Sequence, residues 1–490
     1  MDGLYTADAD TLALDDGRTQ VGYAALRSES LRLAAVLQRE HVRVVATLGD
    51  NSVAWVILDL AARLAGAVHV PLPTFFTPSQ MAHALQGAGC DALMVDAAVP
   101  PALINALGPR EPFREVPVMG GVQRMVRLAN EPVALPPGTA KVTFTSGSTG
   151  DPKGVCLGST SLASVADGVA QALRPLQIRR HLCALPLSVL LENVAGIMAP
   201  LQERATCLVP SLATLGLRGS SDFDPAAFHR SVQAHRPESL ILLPQMLRAW
   251  AGLLHATGER APDSLKFVAV GGAAVGAGTL RAARAVGIPA FEGYGLSEGA
   301  SVQTLNLPGI DRAGSAGRPL PHARVRVGAE GELEIAGSLF LGYVGSGEPP
   351  RTWWPTGDLG HIDADGFVHV AGRKKNLLIT AFGRNVSPEW VETALRGHPA
   401  VRDAVVLGDG QPALGAVLWP VHPDAPDAAL QAAVEATNGT LPDYARVGRW
   451  VRGAAPLAAS SGLATANGRP KRDAVERMHA NALQFEPLIQ

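Results

Sequence analysis

Residues able to bind a chain of phosphates stand together at positions 143–155, Thr-Phe-Thr-Ser-Gly-Ser-Thr-Gly-Asp-Pro-Lys-Gly-Val. Gly147, Gly150 and Gly154 let the backbone approach an anion closely. Thr145, Ser146, Ser148 and Thr149 offer hydroxyl donors, and Lys153 adds a point charge. A turn with these donors suits a polyphosphate. The spacing excludes a Walker A loop: Asp151 and Pro152 separate Gly150 from Lys153, and Gly154 stands where Ser or Thr is required.

This stretch resembles the phosphate loop of the adenylate-forming superfamily, which includes acyl-CoA synthetases, nonribosomal-peptide adenylation domains and firefly-type luciferases. Phe291-Glu-Gly-Tyr-Gly-Leu-Ser-Glu298 matches its Tyr-Gly-x-[Ser/Thr]-Glu motif. The resemblance implies that Tyr294, next to Gly295, offers a ring face to adenine, Ser297 a hydroxyl to phosphate, and Glu298 a hard oxygen to Mg²⁺. Gly271-Gly272-Ala273 stands where the family builds one wall of the adenine pocket. Thr356-Gly-Asp358 matches the Thr-Gly-Asp motif; a carboxylate accepts two hydrogen bonds from a ribose diol, so Asp358 is the expected ribose ligand. In Gly372-Arg-Lys-Lys375, Arg373 is expected to reach ribose or phosphate and Lys375 to mark the hinge. Gly383 holds the position where pantetheine passes close to backbone.

The acid pocket is expected to open at Leu185-Pro-Leu-Ser-Val-Leu-Leu-Glu-Asn193, with Val189, Leu190 and Gly293 as its candidate lining. Long-chain acyl-CoA synthetases often read Leu-Pro-Leu-Ser-His-x-x-Glu-Arg there, so Val189 and Asn193 depart from the pattern. The serious departure is at the end. The family closes with Thr-x-x-Gly-Lys-x-x-Arg, its lysine entering the active site during adenylation. This chain reads Thr465-Ala-Asn-Gly-Arg-Pro-Lys-Arg472. Spacing puts Arg469 in the lysine's place with Lys471 two residues on. An Arg fork and a Lys ammonium are not equivalent, and the sequence leaves both as candidates.

The resemblance implies ATP-dependent adenylation of a carboxylic acid, then thioester formation, as in an acyl-CoA synthetase for a medium- or long-chain fatty acid. ATP, Mg²⁺ and CoA are the expected cofactors. An aryl- or fatty-acid ligase that loads the phosphopantetheine of a separate acyl-carrier protein is the alternative. A catalytically inactive carboxylate- and nucleotide-binding protein is the alternative of another class.

The elements that must position these residues read as α/β. Residues 21–40 and 51–64 have helical periodicity, and 44–48 and 66–73 read as strands, an alternation that argues for a parallel sheet covered on both faces. Residues 240–243 and 265–270 read as strands, the first followed by a turn at Pro244. Ser387 and Pro388 read as the N-cap and first position of a helix. The expected architecture is a large N-terminal domain of parallel αβ sheets with a small β-barrel-like part, residues 1–374, and a small α+β lid, 375–490. A net charge of −2 gives no reason to expect nucleic acid as a partner. The four cysteines form no CxxC pair, which fits a reducing cytoplasm. No transmembrane segment is expected.

Overall fold

The computed structural model describes residues 11–110, 112–145, 152–219, 222–346, 351–381, 384–465 and 468–483. Its first sheet has eight strands. Val44–Leu48 lies at the middle, parallel to Val68–Leu72 on one side and Ala92–Asp96 on the other. All five residues of Val44–Leu48 are buried, as a strand covered on both faces requires. Thr139–Thr145 and Lys153–Gly158 pair antiparallel near one edge and hold the ends of the Gly/Ser-rich loop. Residues 146–151, and with them Ser146, Gly147, Ser148, Thr149 and Gly150, lie outside the described residues.

The second sheet has nine strands. Arg180–Leu182, Ser239–Leu242, Phe267–Val270 and Ala290–Leu296 run parallel in that order, and Ser301–Leu305 returns antiparallel. The carboxyl ends of the parallel strands point to Gly271 and Gly293, the side where ligands of open α/β sheets bind. The turn expected at Pro244 is instead the start of a helix, Pro244–Thr257. Proline suits a first helical position as well as a turn, because the lost N–H had no helical acceptor.

A four-stranded antiparallel sheet, Ala323–Val327, Glu332–Gly337, Trp354–Ile362 and Val368–Arg373, forms the small β part. Beyond it, Val401–Leu407, Leu414–Pro420 and Val447–Arg452 form a sheet packed by Pro388–Arg396, Asp427–Asn438 and Arg472–Leu483. Ser387 and Pro388 take the expected positions, but the Ser387 hydroxyl does not cap the helix. It donates to the Ala371 carbonyl at 2.7 Å, tying the lid to the strand before it. Among the described residues no helix is long and apolar enough to cross a membrane.

Candidate active site

Backbone register builds the first part of the site. Asp358 lies directly across from Arg373 in the antiparallel pair Trp354–Ile362 and Val368–Arg373. Arg373 Nε meets Asp358 Oδ1 at 2.9 Å, and the Tyr294 hydroxyl donates to Asp358 Oδ2 at 2.6 Å. A carboxylate has about four acceptor positions, so this arrangement leaves room for a diol. Burial pushes the Asp358 carboxyl above its ordinary range, against the pull of Arg373, Tyr294 and Arg469. Tyr294 reaches Asp358 from a strand whose neighbours must be glycine. A Cβ at Gly295 would stand 2.2 Å from the Ser301 carbonyl oxygen, where the ladder is bulged.

Glu298 sits in a short 3₁₀ turn, Ser297–Gly299, with Ser297 half-buried beside it. The turn ends on two non-glycine residues at positive φ, Ala300 at 58° and Ser301 at 114°. Strain of this kind persists where the surrounding structure dictates it. Tyr343 OH donates to Glu298 Oε1 at 2.8 Å, and Lys153 Nζ lies 5.8 Å from the centre of the Tyr343 ring. Tyr343 therefore links the residue after the phosphate loop to the carboxylate of the second motif. Thr145 closes the strand on the loop's other side. Gly271 is buried with its N–H on the Leu242 carbonyl, while Gly272 and Ala273 remain exposed at the carboxyl ends of the strands.

The structure distinguishes the two lid cations. Thr465 N–H donates to the Arg469 carbonyl at 2.8 Å, and Arg469 N–H donates to Thr465 Oγ1 at 3.1 Å. This pinned turn presents Arg469 to Asp358, Glu298 and Arg373. Both Arg469 and Lys471 are exposed; what sets Arg469 apart is its coupling to these charges. Burial and Arg373 lower its pKa; Asp358 and Glu298 oppose them. Lys471 is exposed on the lid, its backbone N–H on the Leu463 carbonyl. Lys375 joins Arg469 instead: burial, Arg373, Arg469 and Lys153 all depress its pKa. Lys153, the pair Arg373 and Lys375, and Arg469 thus come from three segments to the neighbourhood of Glu298 and Asp358. Gly383 lies outside the described residues.

A cavity of about 190 Å³ lies between the helix Ser159–Leu173, the π-helical segment Glu192–Met198 and the second sheet. Leu191 and Ala195 line it, with Val169, Ile241, Ala269 and Val302. Val189 and Leu190 do not. Leu190 is turned into the core and Val189 is half-buried away from the cavity. Gly293 does not line it either; a Cβ there would meet Leu305 Cδ1 at 2.8 Å.

Two site residues escaped the sequence reading. Tyr343 belongs to Phe340-Leu-Gly-Tyr343, whose aromatic rings pack together with Trp354. Glu292, directly before Gly293, is buried, and its carboxylate accepts the Val275 N–H at 3.1 Å. A carboxylate at the end of an apolar strand was its signal. Burial raises the Glu292 pKa to about 7. The raised value disfavours folding increasingly as pH climbs from the ordinary carboxylate range toward 7. Glu292→Gln keeps an acceptor for Val275 and removes the charge. Unfolding titrations should find the variant equal to the parent near pH 4 and, above about pH 7.5, more stable by on the order of 2–3 kcal/mol.

Comparison with known proteins bears on this geometry. The AMP-binding enzyme family matches residues 5–344, and the AMP-binding enzyme C-terminal domain matches residues 375–484. The long-chain-fatty-acid–CoA ligase FadD15 of Mycobacterium bovis is 29% identical over 432 residues, covering 76% of this chain and 72% of its own. Feruloyl-CoA synthase of an Amycolatopsis species is 30% identical over 434 residues, covering 83% and 84%. The crystal structure of the anthranilate CoA ligase AuaEII in complex with anthranoyl-AMP superposes with a TM-score of 0.83. That alignment covers 98% of this chain and 97% of the other at 20% identity, and speaks to the fold.

Proposed function

The chain belongs to the AMP-binding enzyme family, and from that premise we propose that it activates an alkyl carboxylic acid with ATP and transfers the acyl group to a thiol, CoA in the first instance. The observation that carries this reading is the convergence of Lys153, Arg373, Lys375 and Arg469 on the cleft beside Glu298 and Asp358. The carboxylates among them, Glu298, Asp358 and Glu389, leave an excess of positive charge, and a polyphosphate offsets it. The donor set also fits magnesium: Glu298 offers a hard oxygen beside the cationic cluster. When bound there, Mg²⁺ would offset charge on the triphosphate.

In the first half-reaction a carboxylate oxygen attacks the α-phosphorus of ATP, the P–O bond to pyrophosphate breaks, and acyl-AMP forms. The chain's part is to hold and neutralise. Lys153 and Arg469 face the phosphates that leave, and Asp358 holds the ribose. In the second half, a thiol sulfur attacks the acyl carbon, AMP departs, and the thiol proton passes to solvent. Lys375, between the β part and the lid, is the proposed pivot for the rotation between the halves. The free, buried cysteines support a cytoplasmic setting.

The cavity supports an alkyl rather than an aryl acid. Its lining is largely apolar, with Ala269, Ile241, Phe267, Val169 and Leu191, as an alkyl chain requires. Pyrophosphate release with Mg-ATP over straight-chain and aryl acids, with and without CoA, tests the reading. Long alkyl acids are expected to be preferred, with CoA accelerating turnover; preference for benzoate-type acids would overturn the alkyl assignment. If CoA has no effect, a carrier-protein phosphopantetheine becomes the acceptor. Ala269→Phe fills the upper cavity and should lower kcat/KM for long acids at least about ten-fold relative to short ones.

A further inference from the structure

We propose that the acid carries a hydroxyl group roughly ten carbons from its carboxylate, and that the Ser239 hydroxyl, held by His181, binds it. This rests on the ligase reading above and narrows its substrate class. The polar lining of the cavity falls in two places. Arg174, Gln177, Arg179 and Glu203 stand at its solvent-facing end, and Ser239 with His181 stands in the otherwise apolar buried wall. His181, Ser239 and Phe267 form one paired row across three neighbouring strands. That row lies four residues before Gly271, roughly 13 Å at ~3.3 Å per residue. An extended alkyl chain covers that distance with about ten carbons joined by bonds of ~1.5 Å.

The row is chemically incomplete. His181 Nδ1 is 2.9 Å from Ser239 Oγ, and His181 Nε2 is 3.2 Å from Glu192 Oε1. Glu192 is fully buried and accepts the Leu185 N–H on Oε2 at 2.9 Å, so both ring nitrogens and both carboxylate oxygens are engaged. Ser239 is not. Among the described residues its hydroxyl has His181 as its one hydrogen-bond partner, while a hydroxyl can donate once and accept twice. Unused capacity on an apolar wall is a cost that a matching ligand removes. The His181 tautomer decides whether Ser239 has a donor or an acceptor left. A ligand hydroxyl satisfies either case; a keto oxygen satisfies only one.

The test is a series of straight-chain acids of one length with a hydroxyl moved along the chain, against the unsubstituted parent. The full chain is assayed for pyrophosphate release and, separately, for acid binding by calorimetry. The expected result is a maximum in kcat/KM at one remote hydroxyl position, roughly ten-fold over the parent acid. Ser239→Ala should bring that ratio close to one. A flat profile, the result if water fills the row, or a maximum that persists in Ser239→Ala, overturns the proposal. Should no acid release pyrophosphate, the ligase reading fails by itself. Calorimetry then decides the present one: tighter binding of the remote-hydroxyl acid that is lost in Ser239→Ala supports it, and equal binding refutes it.

Discussion

Arg469→Ala lowers acid-dependent pyrophosphate release by about 10²- to 10³-fold, the loss expected when a preorganised charge is taken from a developing anion. Lys471→Ala stays within about two-fold of the parent, as substitution of an exposed side chain should. The contrast follows from the lid turn. Thr465 and Arg469 are tied by two hydrogen bonds, and the Arg469 charge is coupled to Glu298, Asp358 and Arg373, while among the described residues the Lys471 side chain has no contact with those groups. Burial and the neighbouring Arg373 already lower the Arg469 pKa, so the charge is held in the cleft at a cost that an anion offsets. Arg469→Lys keeps the charge and loses the planar fork; an intermediate rate, down about ten-fold, is expected. The half-reactions separate the role from a folding defect. Given pre-made acyl-adenylate and CoA, Arg469→Ala should form thioester near the parent rate, because the residue serves the departure of pyrophosphate. A larger loss in Lys471→Ala than in Arg469→Ala would falsify the assignment.

The residues legible in the sequence were those whose chemistry dictates their type. Glu298, Asp358, Arg373 and Lys153 stand in short motifs, and the structure brings them to one cleft. The order of strands and helices was legible for the same kind of reason: Val44–Leu48 is apolar throughout because both its faces are covered. What was not legible depends on contacts between distant segments. Tyr343 reaches Glu298 across 45 residues, and nothing in either local sequence announces the pair. Which side chains line the apolar cavity was likewise not legible: Leu191 and Ala195 do, and Val189 and Leu190 do not. The choice between Arg469 and Lys471 needed the turn geometry, which residue spacing alone does not supply.

The same dependence on distant contacts accounts for Asn193 and leads to the largest expected stability effect. Where long-chain relatives of this pattern carry arginine, Asn193 carries no charge, and the positive charge arrives from another element. Lys141, on the strand Thr139–Thr145, places Nζ 2.7 Å from Asp59 Oδ1 and donates to Asn193 Oδ1. Asn193 Nδ2 donates to Asp59 Oδ2 at 3.0 Å. His69 Nδ1 lies 2.5 Å from Asp59 Oδ1, and Thr47 Oγ1 lies 2.9 Å from His69 Nε2. All five side chains are buried. Burial alone would raise the Asp59 pKa, but Lys141 and then His69 hold it far below the usual carboxylate range. Asp59 therefore contributes stability above its unfolded pKa, and this is lost as acid lowers the pH below about 4. Lys141→Met leaves Asp59 buried without its cation and should cost about 3–5 kcal/mol near neutral pH. The cost should be smaller at about pH 5 than at neutral pH, because removing Lys141 takes away one of the groups that depress the His69 pKa and lets the ring supply the missing charge. Chemical unfolding at the two pH values reads the effect directly. The double variant Lys141→Met with Asp59→Asn removes both charges and should recover most of the loss. A double variant no more stable than Lys141→Met alone would show that the methylene packing of Lys141, and not its charge, holds this part of the core.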